Sequence, residues 1–275
     1  MKINNIYNCK AEELMQKMKE ENIKVNTIIS SPPYGSSRGK KKIQSQQSRD
    51  HHETRYDVYL ENRTDDEYIQ WMVSLFNEFD KILATNGVIC WNVSYATDNQ
   101  SSKSKLDRKL FQPNTLLWKV IYHIIEDTTF TIGDKITWKK KSALPNNSSH
   151  NKLTRICEEV FVFCRDNEYD TYFTNKQVKS VSHTGQRYYE NIFNFIDAKN
   201  NDGSNKYNKA TYSTDLVNQL LDIYGVHRDD TENIIFDPFM GTGTTANGAI
   251  LNGFNYLGSE ISENQVKYAR KRLEK

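Results

Sequence analysis

The chain has 275 residues, of which 37% are hydrophobic, and a formal net charge of +2 at pH 7. This length is sufficient for one large α/β domain with its own buried core. The small net charge excludes a protein that binds nucleic acid through bulk charge, so any such binding depends on local basic patches. No stretch approaches the roughly 20 apolar residues of a membrane span, and the N-terminus lacks a signal-peptide core, so we expect a cytoplasmic protein.

Cysteines and histidines do not form a metal-binding pattern. The four cysteines (Cys9, Cys90, Cys157 and Cys164) include no CxxC pair and no cluster with the six histidines. We therefore predict reduced thiols and no metal site. The pair His51-His52 and His183 are assigned to solvated loops.

Apolar strands and amphipathic helices alternate along the chain, which is typical of a mostly parallel α/β sheet with helices on both faces. Thr64-Asp65-Asp66-Glu67 is an N-cap signal for a helix over 68–85, which Asn86-Gly87 is predicted to end. The other helices are predicted at 11–21, near 113–126, from 214 to 225, after 245 and at the C-terminus. The strands are predicted at 3–7, 25–29, 88–93, 132–138, 159–164, 234–236 and 255–258.

Two long polar segments interrupt this pattern. Residues 35–63 are basic and have no hydrophobic period, and a loop of this length in a compact domain is usually functional or disordered. Residues 166–208 are rich in Asn, Lys and Tyr and indicate a small excursion from the main sheet. We therefore predict one domain formed by 1–165 and 209–275, with 35–63 as a loop within it and 166–208 as a separate region.

The segment Asp237-Pro-Phe-Met-Gly-Thr-Gly-Thr-Thr245 lies between a predicted strand and a predicted helix, and Glu260 ends the next strand. Glycines at such a turn let the backbone approach a ligand, and the distal carboxylate can bind ribose hydroxyls. Ala246 and Asn247 stand where a dinucleotide site needs a third glycine, and no Gly-Lys-Ser/Thr follows as in a P-loop. Because Asp237 would repel a pyrophosphate, the turn favours a ligand with a cationic amino group, such as S-adenosylmethionine.

A second motif, Ser31-Pro32-Pro33-Tyr34, follows the apolar run Val25–Ile29. The prolines end and stiffen the strand, because proline cannot continue a ladder of backbone hydrogen bonds. Their fixed carbonyl groups and the Ser31 hydroxyl can accept both hydrogens of an exocyclic base amine. The nitrogen lone pair is then available for attack on a methyl sulfonium. Tyr34 can stack on the base, which must first rotate out of the duplex to reach this pocket.

Together the two motifs resemble those of the exocyclic-amino DNA methyltransferases, which carry Asp/Asn/Ser-Pro-Pro-aromatic as the catalytic motif and Asp-Pro-Phe-x-Gly-x-Gly-Thr-Thr as the cofactor turn. The order of the motifs, catalytic first and cofactor last, is similar to that of the beta group. The resemblance covers most of the chain. It implies a circularly permuted Rossmann-like methyltransferase sheet with a target-recognition insert at 166–208. It also implies S-adenosylmethionine as methyl donor and S-adenosylhomocysteine as product.

The resemblance further implies which residues bind the cofactor. Asn208-Lys-Ala-Thr-Tyr-Ser213 is similar to a His-Pro-Ala-Thr-Phe-Pro segment of the family, with Lys209 and Ser213 in place of the prolines. Asn8-Cys9 replaces a Gly-Asp pair after the first strand, so a backbone contact near Cys9 is expected. The implied cofactor-binding residues are Cys9, Ala210, Thr211, Tyr212, Asp237, Phe239, Gly241, Gly243, Thr244 and Glu260, and the catalytic residues are Ser31, Pro32, Pro33 and Tyr34.

The predicted target is the N4 amine of cytosine, which the Ser-Pro-Pro-Tyr variant of the family favours. Adenine N6 is the alternative, because serine and aspartate are both acceptors and either can face either amine. RNA or protein amines are further alternative substrates, and a non-catalytic DNA-binding module that senses the cofactor is an alternative of another class. Methylation of cytosine C5 is set aside, because it needs a cysteine nucleophile, usually after a proline, and no cysteine here follows one.

Basic residues in the two polar segments are the predicted DNA contacts, because they can neutralise phosphates beside a flipped base. They are Arg38, Lys40, Lys41, Lys42, Arg49 and Arg55 in the loop after Tyr34, and Lys176, Lys179 and Arg187 in the recognition region. Double-stranded DNA is thus the predicted partner. A cognate restriction endonuclease, a homodimer and a prokaryotic or phage origin are expectations from the family.

Overall fold

The computed structural model describes residues 1–33, 63–93, 116–141, 156–175, 178–189, 195–203 and 211–274. Within them the strands are β1 (Asn5–Tyr7), β2 (Val25–Ser30), β3 (Leu83–Val93), β4 (Phe130–Lys140), β5 (Cys157–Arg165), β6 (Val178–Val181), β7 (Arg187–Tyr189), β8 (Phe195–Ala198), β9 (Ile234–Asp237) and β10 (Asn255–Ser259). The helices are α1 (Ala11–Glu20), α2 (Asp65–Ile82), α3 (Leu116–Asp127), α4 (Thr214–Tyr224), α5 (Thr244–Leu251) and α6 (Glu263–Leu273).

The main sheet has the strand order β1, β10, β9, β2, β3, β5, β4, β8. The first five of these strands are parallel to one another. β5 is antiparallel to both of its neighbours, and β8 is parallel to β4. The mostly parallel sheet predicted from the sequence is therefore confirmed.

Two apolar cores, one on each face of the sheet, hold the helices in place. On one face α1, α2 and α3 pack against the strands, with Phe76 and Trp91 fully buried between them. On the other face α4, α5 and α6 bury side chains such as Leu220 and Val266. This arrangement confirms the predicted helices on both faces. Because the faces are covered, the carboxyl ends of the strands form the edge at which such sheets bind ligands.

The N-terminus of α2 is set by the predicted capping signal. Thr64 Oγ1 accepts from the Glu67 N–H at 3.2 Å, and Glu67 Oε2 accepts from the Thr64 N–H at 2.7 Å. These two bonds form a capping box, which satisfies backbone donors that the first helical turn leaves without partners. The bonds from Thr64 also lower the pKa of the Glu67 carboxyl.

The predicted C-terminal end of α2 at Asn86-Gly87 is wrong. The helix ends at Ile82, and β3 begins at Leu83, which pairs with Val25. Asn86 has a positive φ of 61° and lies where the register between β2 and β3 shifts. A Cβ atom on Gly87 would lie 2.8 Å from a backbone oxygen of β2, so glycine permits a close approach of two strands here. An Asn-Gly pair that resembles a helix end is therefore an irregularity within a strand.

Segment 166–208 is separate from the main sheet only in part. β6 and β7 form their own two-stranded antiparallel sheet. β8 returns to the main sheet, where the buried Ile196 pairs with Trp138 of β4. The role of this segment in target recognition stays a prediction.

Over the described ranges the chain has neither a membrane-length helix nor a metal-ligand cluster. None of the helices in these ranges is long and apolar enough to cross a membrane. No group of three or more His, Cys, Asp or Glu side chains in them is placed to hold a metal ion. The four cysteines are free thiols, and Cys90 and Cys164 are buried.

Candidate active site

The two motifs singled out in the sequence meet at one edge of the sheet. Ser31 directly follows β2, and Asp237 is the last residue of β9, the parallel strand beside it. The Ser30 hydroxyl, at the end of β2, donates a hydrogen bond of 2.6 Å to Asp237 Oδ1 across 207 residues of sequence. The residue directly before the predicted catalytic segment is therefore bonded to the predicted cofactor turn.

Asp237 is the centre of a buried hydrogen-bond network. Its Oδ1 accepts from the Ser30 hydroxyl and from the Phe239 N–H at 2.9 Å. Its Oδ2 accepts from Thr245 Oγ1 at 2.5 Å and from Tyr212 Oη at 2.9 Å. Burial raises the pKa of this carboxyl, and the four donors work in the opposite direction. Asp237 thus organises the turn from within, while its predicted direct contact with a cationic ligand stays a prediction.

The turn after β9 uses glycine at two positions with left-handed backbone. Gly241 and Gly243 have φ angles of 53° and 81°, which other residues rarely adopt. A Cβ atom on Gly243 would lie 3.0 Å from Ala269 Cβ, so a side chain there would crowd α6 in addition to straining the backbone. Gly243 therefore serves the packing of the site, at the N-cap of α5. Gly241 instead directs its N–H to Glu260 Oε2 at 3.0 Å.

Glu260 closes the turn from the neighbouring strand β10. Besides the Gly241 N–H, it accepts from the Ser262 N–H, at 2.8 Å to Oε1. Burial raises the pKa of this carboxyl, and these backbone donors work in the opposite direction. Asn8 Nδ2 donates to the carbonyl oxygens of Glu260 and Ile261, both at 2.9 Å. Asn8, whose role the sequence analysis did not identify, thereby ties the end of β1 to the end of β10.

The segment before α4 contributes Thr211 and Tyr212 to the same region. The Tyr212 hydroxyl bonds to Asp237 and also forms a short hydrogen bond with Thr245. Thr211 Oγ1 is buried and has no hydrogen-bond partner in the part of the chain that the structure describes. Ala210 lies outside the described residues. Two of the three predicted residues of this segment are thus next to the network of Asp237.

The remaining predicted cofactor residues surround the turn. Phe239 packs edge-on against Trp71 of α2, with ring centroids 5.7 Å apart. Thr244 begins α5, and its Oγ1 accepts from Arg272 Nη1 at 3.1 Å. Cys9 is half-buried, and burial raises the pKa of its thiol. Its predicted backbone contact with a cofactor stays a prediction.

The catalytic segment is described up to Pro33, and Tyr34 lies outside the described residues. Pro32 and Pro33 are buried, and Ser31 is partly exposed. The Pro33 carbonyl oxygen accepts a hydrogen bond of 2.8 Å from the hydroxyl of Tyr68 in α2. Ser30 and Tyr68 are not among the residues predicted from the sequence, because both lie on apolar patterns that predict core packing.

Asn92 in β3 is a further polar residue at this edge that the sequence analysis missed. It follows Trp91, the register partner of Ser30, so Asn92 lies beside Ser31 on the neighbouring strand. Its Nδ2 donates to Glu158 Oε2 at 3.1 Å, while its buried Oδ1 has no hydrogen-bond partner within the described ranges. Such an acceptor is suited to an N–H group of a ligand. The available signal was an asparagine in an otherwise apolar strand.

Two of the nine predicted DNA contacts lie in the described residues. Lys179 lies in β6 and Arg187 in β7, in the small two-stranded sheet. The others lie outside the described residues: Arg38, Lys40, Lys41, Lys42, Arg49, Arg55 and Lys176. Their contacts with DNA stay predictions.

A mostly parallel sheet with a glycine turn after one strand and a Ser-Pro-Pro segment after the adjacent strand is the arrangement expected of a methyltransferase that acts on an amino group. A family model for N6 and N4 methyltransferases, described as "DNA methylase", matches residues 25–271. The chain belongs to this family and is a DNA methyltransferase. The family resemblance inferred from the two motifs is therefore confirmed, and with it the predicted cofactor, S-adenosylmethionine.

Two bacterial relatives illustrate the similarity. The type II methyltransferase M.BglII of Bacillus subtilis is 20% identical over 284 residues, which cover 97% of this chain and 68% of the relative. The orphan methyltransferase M.BamHII of Bacillus amyloliquefaciens is 24% identical over 220 residues, covering 71% of this chain and 78% of the relative.

Solved structures show the same fold at low sequence identity. The complex of M1.HpyAVI with SAM matches 98% of this chain and 99% of its own, with a TM-score of 0.58 and 17% identity. The PvuII DNA methyltransferase, described as cytosine-N4-specific, matches 99% of this chain and 86% of its own, with a TM-score of 0.63 and 16% identity.

Proposed function

We propose that this DNA methyltransferase transfers a methyl group from S-adenosylmethionine to the N4 amine of cytosine, at a specific sequence in duplex DNA. The observation that carries the proposal is the 2.6 Å bond between Ser30 and Asp237, which brings the Ser-Pro-Pro segment beside the cofactor turn. A donor of methyl groups bound at the turn then lies next to acceptors suited to a base amine.

The residues around the turn fit S-adenosylmethionine. The buried, unpartnered Thr211 Oγ1 requires a polar partner, and it lies next to Tyr212 in the network of Asp237. Glu260 accepts backbone hydrogen bonds at both oxygens, and a carboxylate with about four lone-pair sites can also accept from a ribose hydroxyl. We assign cofactor binding to Thr211, Tyr212, Phe239 and Glu260, together with the backbone of the turn. The bound cofactor supplies an electrophilic methyl group.

The catalytic segment activates the exocyclic amine of the target base. An exocyclic amine is a poor nucleophile, because its lone pair is delocalised into the ring. When Ser31 Oγ and a carbonyl of Pro32-Pro33 accept its two hydrogens, the lone pair is concentrated on nitrogen, and fixed acceptors achieve this without reorganisation. Tyr34 stacks on the flipped base. The nitrogen would take the methyl group by direct displacement, in which the bond from the methyl carbon to the sulfonium sulfur breaks and S-adenosylhomocysteine leaves. The methylated amine then releases a proton to water, without a covalent enzyme intermediate.

Cytosine N4 is preferred over adenine N6 on two grounds. The motif of this chain begins with serine, the variant that favours cytosine in the family that it resembles. A structurally similar protein, the PvuII methyltransferase, is described as cytosine-N4-specific. Methylation of adenine N6 by the same site is the second candidate.

Methyl transfer to nucleic acid tests the proposed reaction. We expect the enzyme to transfer labelled methyl groups from S-adenosylmethionine to unmethylated genomic DNA in duplex form. RNA of the same base composition and a protein mixture are the control substrates, and they should stay unlabelled. Labelling of RNA or protein without labelling of DNA would contradict the proposal.

The basic loop 35–63 and the region 166–208 are proposed to bind DNA, the latter to recognise the target sequence. We expect the triple variant Lys40→Ala, Lys41→Ala, Lys42→Ala to bind duplex DNA more weakly, with a log–log salt slope smaller by about 0.9 for each phosphate that the loop no longer neutralises. Cofactor affinity should not change. Fluorescence anisotropy with labelled duplex DNA over a series of salt concentrations measures the slope.

A second lysine run offers a matched control for that variant. Lys139 and Lys141 are ion-paired with Asp197 and Asp215, at 3.6 and 3.5 Å. Lysines that already have acidic partners contribute less to phosphate binding, so the variant Lys139→Ala, Lys141→Ala should have a nearly unchanged salt slope. Equal slopes in the triple variant and the wild type would contradict the role of the basic loop.

The biological setting proposed for the enzyme follows its bacterial relatives. Several of these are type II methyltransferases, which makes a cognate restriction endonuclease an expected companion. A homodimer and action in the cytoplasm of a prokaryotic host remain expectations of the same kind.

A further inference from the structure

The first turn of α2 contacts the end of the catalytic strand. Tyr68 Oη donates a hydrogen bond of 2.8 Å to the carbonyl oxygen of Pro33, 35 residues earlier in the chain. Tyr68 is only 6% exposed, so this bond is shielded from water. The capping box of Thr64 and Glu67 fixes the same helical turn, so the hydroxyl is presented from a rigid element.

This hydrogen bond restricts the ψ rotation of Pro33, which the proline ring does not fix. A proline ring fixes φ but not ψ, so the peptide plane between Pro33 and Tyr34 can still rotate. The bond from Tyr68 fixes that plane through its carbonyl oxygen. The position of this oxygen is thus set by a side chain of α2.

The aromatic ring of Tyr68 is connected to the cofactor turn through two ring contacts. Its ring packs edge-on against Trp71, with centroids 5.8 Å apart, and Trp71 packs against Phe239 at 5.7 Å. Trp71 is itself held by a bond of 2.8 Å from its Nε1 to Glu12 of α1. The aromatic contacts of α2 therefore connect the catalytic segment to the cofactor turn, on a path separate from the bond between Ser30 and Asp237.

We propose that Tyr68 is a positioning residue for methyl transfer. Its hydroxyl fixes the Pro33 peptide plane, and its ring fixes the distance between that plane and the cofactor turn. This inference rests on the proposed function, because it assigns Tyr68 an effect on the acceptors for the base amine. A residue with a merely structural role would change stability and leave the rate of the chemical step unchanged.

The test compares two buried tyrosines that each lose one hydroxyl. In Tyr68→Phe the bond to Pro33 is removed. In the control, Tyr224→Phe, a bond of 3.1 Å from α4 to Asp134 Oδ2 is removed at a tyrosine that is 2% exposed. Single-turnover methylation of unmethylated genomic DNA gives the rate of transfer, calorimetry with S-adenosylmethionine gives Kd, and thermal unfolding gives Tm.

We expect Tyr68→Phe to lower the single-turnover rate about 10-fold, because small displacements of reacting groups slow transfer strongly. Its cofactor Kd should stay within about twofold of the wild type, and Tyr224→Phe should keep the wild-type rate even if its Tm falls. A wild-type rate in Tyr68→Phe, or an equal loss of rate in both variants, would overturn the inference while the proposed function stands. A wild-type enzyme that methylates no DNA would overturn the proposed function and this inference together.

Discussion

Replacing Ser31 by alanine is expected to slow methyl transfer about 10²-fold, the cost typical of removing one hydrogen-bond partner from a preorganised site. Cofactor affinity should not change. The cofactor turn is held by Ser30 and the other donors to Asp237, and this variant leaves them intact. The effect should therefore appear in the single-turnover rate of DNA methylation and not in the Kd for S-adenosylmethionine measured by calorimetry.

A hydroxyl far from the site provides the control for Ser31. Thr171 Oγ1 donates to Asn86 Oδ1 at 2.8 Å, in an exposed contact at the opposite end of β3. Thr171→Ala removes one hydroxyl group, as Ser31→Ala does, and this variant should methylate DNA at the wild-type rate. A wild-type rate in Ser31→Ala would show that the serine is not an acceptor for the amine.

Replacing Asp237 by alanine is expected to eliminate measurable S-adenosylmethionine binding and to lower the free energy of unfolding by about 3 kcal/mol. The reason is the network of four donors around this carboxyl, all of which would lose this acceptor in a buried site. Loss of the network also frees the turn from β2 and from the segment of Tyr212. Calorimetry with the cofactor and urea unfolding measure the two effects.

Asp237→Asn is the matched variant for this experiment. Its remaining carbonyl oxygen can still accept from Ser30 and the Phe239 N–H, and the hydroxyls of Thr245 and Tyr212 can rotate to accept from the new amide. We therefore expect a smaller loss of stability than in Asp237→Ala. An alanine variant as stable as the wild type, with normal cofactor binding, would contradict the role of the network.

The general location of the site was predictable from the sequence. Ser31 directly follows a short apolar strand and Asp237 ends another, and the carboxyl ends of parallel strands meet at one edge of a sheet. Two motifs with complementary chemistry at two such ends are expected to meet, although about 200 residues separate them. In the structure the ends of the two strands are joined by the hydrogen bond between Ser30 and Asp237.

The residues that support the site were not predictable in the same way. Tyr68 lies on the apolar face of α2, where a helical period predicts only core packing. Its hydroxyl acts through a hydrogen bond to Pro33 that no local pattern encodes. Asn8 is a similar case, because its partners Glu260 and Ile261 lie at the other end of the chain. Local patterns give element types, whereas these contacts depend on which strands become neighbours.

The irregularity at Asn86-Gly87 has a related cause. A positive φ at an asparagine followed by a glycine is common at helix ends, and the sequence offers no means to distinguish that use from a strand irregularity. The helix ends at Ile82 because Leu83 pairs with Val25 as part of a strand. Tertiary pairing therefore overrides the local signal.

Identification of the methylated base is the most direct test of the proposed function. Unmethylated duplex DNA is incubated with the enzyme and S-adenosylmethionine, digested to nucleosides and analysed by mass spectrometry, while single-molecule sequencing of the same DNA gives the context. We predict N4-methylcytosine in one recurring sequence, formed about 10²-fold more slowly when Ser31→Ala replaces the wild type. N6-methyladenine as the only methylated product would contradict the assignment of cytosine, and DNA without any methylated base would contradict the proposed reaction.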